Sequence, residues 1–124
     1  MLCVKTYLDK SDIHGIGVFA TENIKKGQLI WKFQPSIDRV IERRTGFTVL
    51  EEEFIRTFAY FDKQLQDWIL CADNDRFTNH SDYPNTEPHD SGNVVAKVDI
   101  NADDEITINY YEIDEYAREK LMKK

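Results

Sequence analysis

Arg76-Phe77-Thr78-Asn79-His80-Ser81-Asp82-Tyr83-Pro84-Asn85 packs polar, ring-bearing and turn-forming residues into consecutive positions, and it is the most unusual stretch of the chain. Asn-His-Ser after an aromatic reads as backbone that leaves a strand and presents an amide and an imidazole inward, while Tyr83-Pro84-Asn85 turns the chain. Asn79-His80-Ser81 also fits the N-glycosylation pattern. The opening residues Met1-Leu2-Cys3-Val4-Lys5-Thr6 have no secretion-signal layout, so that reading is set aside. An inward-facing Asn-His pair needs a partner surface, which the flanking sequence has to supply.

Upstream, Ile13-His14-Gly15-Ile16-Gly17-Val18-Phe19-Ala20 places two glycines just before an apolar run, which lets backbone lie close to a ligand. Taken alone, G-x-G is a plain hairpin turn. Downstream, Asp103-Asp104-Glu105-Ile106-Thr107-Ile108-Asn109-Tyr110 passes from an acidic turn into a β-branched strand that ends on tyrosine, where a packed amphipathic ring is the ordinary reading.

Candidate strands are Leu2–Leu8, Gly17–Ala20, Leu29–Phe33, Trp68–Cys71, Val94–Val98 and Ile106–Asn109, short and mostly rich in β-branched or aromatic residues. Leu50, Phe54, Phe58, Phe61 and Leu65 recur at spacings of three and four, which predicts one amphipathic helix with its phenylalanine stripe in the core. Thr48 and Glu51 supply a capping box at its start. A second, more polar helix is expected from about Asp114 to the end, supported by the pairs Asp114/Arg118 and Glu119/Lys123.

A chain of 124 residues suits one domain that folds without metals or disulfides. No apolar run approaches the roughly 18 residues of a membrane span, and a cytoplasmic location is expected, with action in a nucleus, nucleoid or host cell left open. Cys3 and Cys71 stand far apart, so neither a zinc cluster nor a disulfide framework is expected, and both are read as reduced, buried residues. Net charge is −7, and Asp103–Glu115 carries six acids and no base. That balance disfavours nucleic acid and favours a basic partner, although a surface that only aids solubility fits the charge better.

In order, Ser11–Ala20, Arg76–Asn85 and Asp104–Tyr110 resemble three segments of the SET domain: its S-x-x-x-G-x-G-V-F-A opening, its R-F-x-N-H-S-x-x-P-N block and its D-E-x-T-x-x-Y close. The resemblance runs roughly from Val4 to Tyr111. It implies a mostly β, β-clip fold of several short sheets with a pseudoknot near the C-terminus, one inserted helix and a C-terminal helix. One domain would then fill residues 1–124, with its core at about 4–111 and the terminal helix at 112–124. The activity it implies is S-adenosylmethionine-dependent methylation of a lysine in a basic protein, for which histones are the family's usual substrates.

Residue by residue, the resemblance puts Ile16, Gly17 and Phe19 beside the methyl donor. Asn79 and His80 match the pair that grips its amino group and adenine, Arg76 and Phe77 anchor that block, and Tyr110 matches the catalytic tyrosine. Such chemistry needs alignment and a neutral amine rather than a metal or covalent intermediate. A free lysine with pKa near 10.4 costs about 4–5 kcal/mol to deprotonate at neutral pH, which an apolar channel beside a sulfonium reduces. Tyr110 would orient the amine rather than act as a strong base.

The chain departs from the family pattern at Ile108, Asn109 and Tyr111, where an aromatic residue, Asp and Gly are frequent. Ile108 and Tyr111 would line the substrate channel, and their departure leaves the number of methyls added open. Nothing resembling the family's cysteine-rich closing segment follows Tyr111. The terminal helix would replace it, with Tyr116 near the adenine or over the channel, or a second subunit of a homodimer would close the site. The competing reading is a catalytically silent SET scaffold that binds a peptide or partner. His14 and His89 match no functional position and are expected to be exposed.

Overall fold

The structure, a computed structural model, describes residues 1–42 and 46–122. In chain order its strands are β1 (Thr6–Lys10), β2 (Ile16–Ala20), β3 (Leu29–Trp31), β4 (Arg39–Val40), β5 (Ala59–Asp62), β6 (Asp67–Leu70), β7 (Asn79–His80), β8 (Thr86–Pro88), β9 (Val94–Ala96) and β10 (Glu105–Ile108). The helices are α1 (Val49–Phe58), α2 (Tyr110–Ile113) and α3 (Ala117–Met122), and 3-10 turns span Asn74–Phe77 and Asp90–Gly92. The strands form three small sheets, ordered β1-β2-β10-β7, β3-β9-β8 and β4-β6-β5.

The first sheet starts from a hairpin whose reversal depends on Gly15, in the left-handed region at φ +47° with open space where a side chain would be. Ser11 closes the turn, its amide donating to the Gly15 carbonyl and its hydroxyl accepting from the Ile13 amide. On the far side of β2, β10 sets Ile106 opposite Val18, and β10 then pairs in parallel with β7, Thr107 opposite Asn79 and Ile108 opposite His80.

The chain from β7 to β8 grips β10 along its length. Ser81 N–H donates to the Ile108 carbonyl, Asn85 exchanges hydrogen bonds with the Glu105 carbonyl and the Thr107 amide, and the Thr86 hydroxyl donates to the Thr107 carbonyl. A strand held inside a loop in this way is the contact pattern of the pseudoknot that the resemblance implied. Val18, Ala20, Ile24, Ile30, Ile69, Ile100 and Ile106 are buried between the sheets. Each large branched side chain among them contributes about 1.5–3 kcal/mol by leaving water, which is what keeps three such small sheets together.

Local patterning is overruled in two places. α1 begins at Thr48 with the expected capping box, but it ends at Phe58, and Ala59 is already extended. Phe61 lies in β5, which pairs along its whole length with β6, and Leu65 lies in the turn between them, where Asp62 Oδ1 accepts from the Gln64 and Leu65 amides. Helical spacing there coincides with a hairpin, and the ladder wins. Nor is the stripe core: α1 has no buried residue, and Phe54 is 42% exposed.

At the other end, the expected terminal helix is broken in two at Asp114. Its Oδ1 accepts from the Phe61 and Tyr116 amides and its backbone bridges to Asp62, which holds it extended. Asp114 pairs with Lys120 rather than Arg118, while Lys123 lies outside the described residues. Cys71 is buried as expected, but Cys3 is exposed; His14 and His89 are both exposed. Among the described residues, no helix is long and apolar enough to cross a membrane.

Candidate functional site

The three segments singled out in the sequence meet at Glu105. Its carboxylate accepts from the Ser11 hydroxyl at 2.8 and 3.0 Å and from Asn79 Nδ2 at 3.0 Å. Asn79, 3% exposed, also donates from Nδ2 to the His14 and Ile16 carbonyls at 3.0 and 3.2 Å. Gly17 is required at this joint for a reason other than ligand approach, since a Cβ there would sit 2.8 Å from Glu105 Cδ. No residue type or spacing singles out Glu105, although it stands inside the D-E-x-T-x-x-Y segment that carries the resemblance.

Tyr110 follows directly from β10. Asn109 caps α2, its Oδ1 accepting from the Tyr111 amide, so it fills by capping the place where the family often has Asp. The Tyr110 amide donates to His80 Nδ1 at 3.0 Å, which puts the imidazole proton on Nε2, where Asp82 Oδ1 accepts it at 2.8 Å. His80 also lies against the Tyr110 ring, with centroids 5.3 Å apart. The Tyr110 hydroxyl donates to the Thr78 carbonyl at 2.6 Å. Burial, then the negative charges of Asp75, Asp114 and Glu105, push its pKa far above that of an ordinary phenol, so it stays protonated.

On its other side Tyr110 faces a cavity of about 80 Å³, whose wall includes Ile108, Arg76, Thr78, Tyr60 and Lys120. Four carboxylates, Asp62, Asp75, Glu112 and Asp114, stand in the same wall. Asp75 accepts from the Thr78 hydroxyl at 3.0 Å and the Cys71 thiol at 3.3 Å, and burial raises its pKa to about 6 against the opposing pull of those two hydrogen bonds. Burial, followed by the charge on Asp75, likewise pushes the Cys71 thiol well up, which makes it an inert packing group rather than a nucleophile.

Of the expected site residues, Arg76, Ile108 and Tyr110 line this cavity, whereas Ile16, Gly17, Phe19, Asn79 and His80 lie outside its wall. Ile16 is exposed at the glycine turn, and Phe19 stacks on Tyr7 with centroids 5.6 Å apart. Arg76 bonds the Cys71 carbonyl and lays its guanidinium over the Phe54 and Phe58 rings, while Phe77 packs edge-on against Phe58, so both fasten α1 to the block. Tyr111 packs edge-on against His80, 47% exposed and off the cavity wall. Tyr116 stacks on Trp68, 5.3 Å between centroids and 4° between planes.

Asp75, Thr78 and Lys120 carry much of the cavity's chemistry without having been picked out in the sequence. Thr78 lies inside Arg76–Asn85, and its place between the aromatic and Asn79 was the signal available. Nothing local marks Lys120. The acidic run is also less uniform than its composition suggests, since Glu105 and Asp114 spend their carboxylates on internal hydrogen bonds. Among the described residues, no group of three His, Cys, Asp or Glu is placed to hold a metal ion.

The sequence model of the SET domain matches residues 15–111. No curated protein matches the chain. Among solved structures, it is similar to a Plasmodium falciparum protein named as a candidate histone methyltransferase, with 29% identity over 86% of this chain and 93% of that one and a TM-score of 0.57. It also matches two structures of Chaetomium thermophilum Polycomb Repressive Complex 2. The first, autoinhibited and bound to S-adenosylmethionine, gives 22% identity over 97% of this chain and 17% of that one, at a TM-score of 0.62. The second, in complex with trimethylated and lysine-to-methionine forms of histone H3, gives 22% identity over 86% and 14%, at 0.58. These two show the shared fold alone, since the chain spans about a sixth of theirs. With the family's sequence model covering most of its length and all three motifs joined at Glu105, the chain belongs to the SET-domain family.

Proposed function

We propose that the protein is a lysine methyltransferase that moves a methyl group from S-adenosylmethionine to the ε-amine of a lysine in a basic protein or peptide. The observation that carries this reading is the position of Tyr110. It stands between the Asn79-His80 block and a partly open, acid-lined cavity, protonated and locked at backbone, ring and hydroxyl. Family membership and the similarity to the Plasmodium falciparum protein support it.

The residues fit the methyl donor by their chemistry. Asn79 spends its amide nitrogen on three internal acceptors, so its Oδ1 is the side-chain atom that would accept from the donor's ammonium. Gly15 leaves open space beside the exposed Ile16 at the mouth of the turn. Bound there, S-adenosylmethionine supplies an activated methyl on a sulfonium, so the protein contributes alignment and exclusion of water. Tyr110, held to Thr78, forms a rigid wall that directs an amine without exchanging its own proton. The carboxylates of the cavity suit a cationic side chain, which favours lysine of a basic segment, a histone tail included.

The test is incubation with S-adenosylmethionine and a panel of basic proteins, followed by mass spectrometry for a one-methyl increment on lysine, with Tyr110→Phe as control. Transfer that survives unchanged in the Phe variant sinks the assignment of Tyr110. Peptide binding without donor binding or transfer would move the conclusion to the silent scaffold.

A further inference from the structure

From α3, Lys120 reaches along the cavity wall. Its ammonium donates to the Ala59 carbonyl at 2.6 Å, lies 3.6 Å from Asp114 Oδ2, and stands 6.0 Å from the centre of the Tyr110 ring. Its side chain is 18% exposed, so the charge is held inside the protein. No motif of the family resemblance contains it.

The ionisable groups that share this cavity come from every element around it. Tyr110, Glu112 and Asp114 belong to the C-terminal segment. Tyr60, Asp62 and Lys63 come from β5 and the turn after it, and Cys71, Asp75 and Arg76 from the segment after β6. Two of the cations are turned to other work: Arg76 lies over the Phe54 and Phe58 rings, and Lys63 donates to the Tyr111 carbonyl. Against these two, the four carboxylates Asp62, Asp75, Glu112 and Asp114 would leave the wall net negative without Lys120, and a carboxylate-rich field keeps an amine protonated. A protonated amine has no lone pair to give. The cavity as drawn by its acids alone would bind a lysine well and methylate it poorly.

We propose that Lys120 is a positioning residue of the methyl-transfer site, whose fixed positive charge offsets these carboxylates and holds an incoming lysine ε-amine in its neutral, nucleophilic form. This inference rests on the methyltransferase reading. Burial pulls the Lys120 pKa down, while Asp114 opposes that shift and so favours the charged form that the role requires. A fixed like charge in the same partly buried cavity disfavours the protonated form of an amine and so lowers that amine's pKa, by roughly one unit or more at an effective dielectric of about 20.

The acid limb of kcat against pH, at saturating concentrations of a basic peptide with one lysine, reads the proton of the bound acceptor. In Lys120→Met this limb is expected to move about one unit to higher pH, a roughly tenfold loss near neutrality that is recovered on raising the pH. Lys120→Arg keeps the charge and should restore the wild-type profile. Lys120→Gln is neutral but still able to donate to the Ala59 carbonyl; it should match the Met variant and replaces it if that variant folds poorly. A readout without turnover is the affinity of the lysine peptide relative to its norleucine counterpart, measured with S-adenosylhomocysteine present. Its pH dependence should shift the same way. An unchanged profile in the neutral variants, or an Arg variant that behaves like them, overturns the inference. A wild-type protein that neither binds S-adenosylmethionine nor methylates any peptide overturns instead the function on which it rests.

Discussion

On the glycine-turn side of Tyr110, a hydroxyl, an amide and a carboxylate from Ser11, Asn79 and Glu105 bind one another across 94 positions of sequence. On the cavity side, Asp62, Asp75, Asp114 and Lys120 have two or three contacts each, to backbone and side chains, and their charges stand close together, with Asp62 and Asp114 buried. The first side derives its rigidity from hydrogen-bond geometry, in which every group has its partner. The second derives its chemistry from electrostatics, where each charge alters the protonation of its neighbours. Substitutions on the first side should therefore act on folding and donor binding, and those on the second on pH dependence. Tyr110 stands where the two meet.

The largest effect is expected at that meeting point. Tyr110→Phe removes the hydroxyl that fixes the ring to Thr78, and methyl transfer should fall by about 10²–10³-fold, the usual range for losing a preorganised polar group at a reacting centre. Stability should drop by only about 1 kcal/mol for the lost hydrogen bond. Single-turnover transfer and urea unfolding on the same preparation separate the two.

Gly17→Ala tests the glycine-turn side alone. The new methyl must displace the Glu105 carboxylate, which loosens Ser11 and Asn79 together. Overpacking and unsatisfied partners lead us to expect a loss of about 2–4 kcal/mol in stability, with weaker S-adenosylmethionine binding. A variant as stable as wild type would mean that the joint at Glu105 is not what fixes the turn.

The same contrast explains what could be read from the chain. Gly15, Asn79, His80 and Tyr110 were legible because their conformation and chemistry depend on residue type within short contiguous motifs. Phe61 and Leu65 are ambiguous in sequence because helical spacing over Leu50–Leu65 is also compatible with a helix followed by a hairpin, and only pairing with Asp67–Leu70 decides between them. Asp114 looked like a helix start and is a helix breaker, since the Phe61 amide that captures it lies 53 residues away. Lys120 was invisible for a related reason. Its surroundings are assembled from β5, the Asn74–Phe77 turn and α2, and no local pattern marks a lysine that will be turned inward.

The smallest effect probes the cavity side through Asp75. Its carboxyl has a folded pKa of about 6, against an ordinary value of 3.8. Between those two values the folded state keeps a proton that the unfolded chain has released, so stability falls as pH rises through this window and levels off above it. Asp75→Asn has no such proton to keep. The stability difference between wild type and variant should shift by about 2–2.5 kcal/mol against the wild type between roughly pH 4 and pH 7, as read by urea unfolding at the two values. The Thr78 and Cys71 hydrogen bonds add an offset that is independent of pH, because an Asn oxygen can accept only one of them well. Parallel pH curves for the two proteins would mean that Asp75 is solvated in the native state, and that the cavity is wetter and less able to shift the charge on an entering amine than its walls imply.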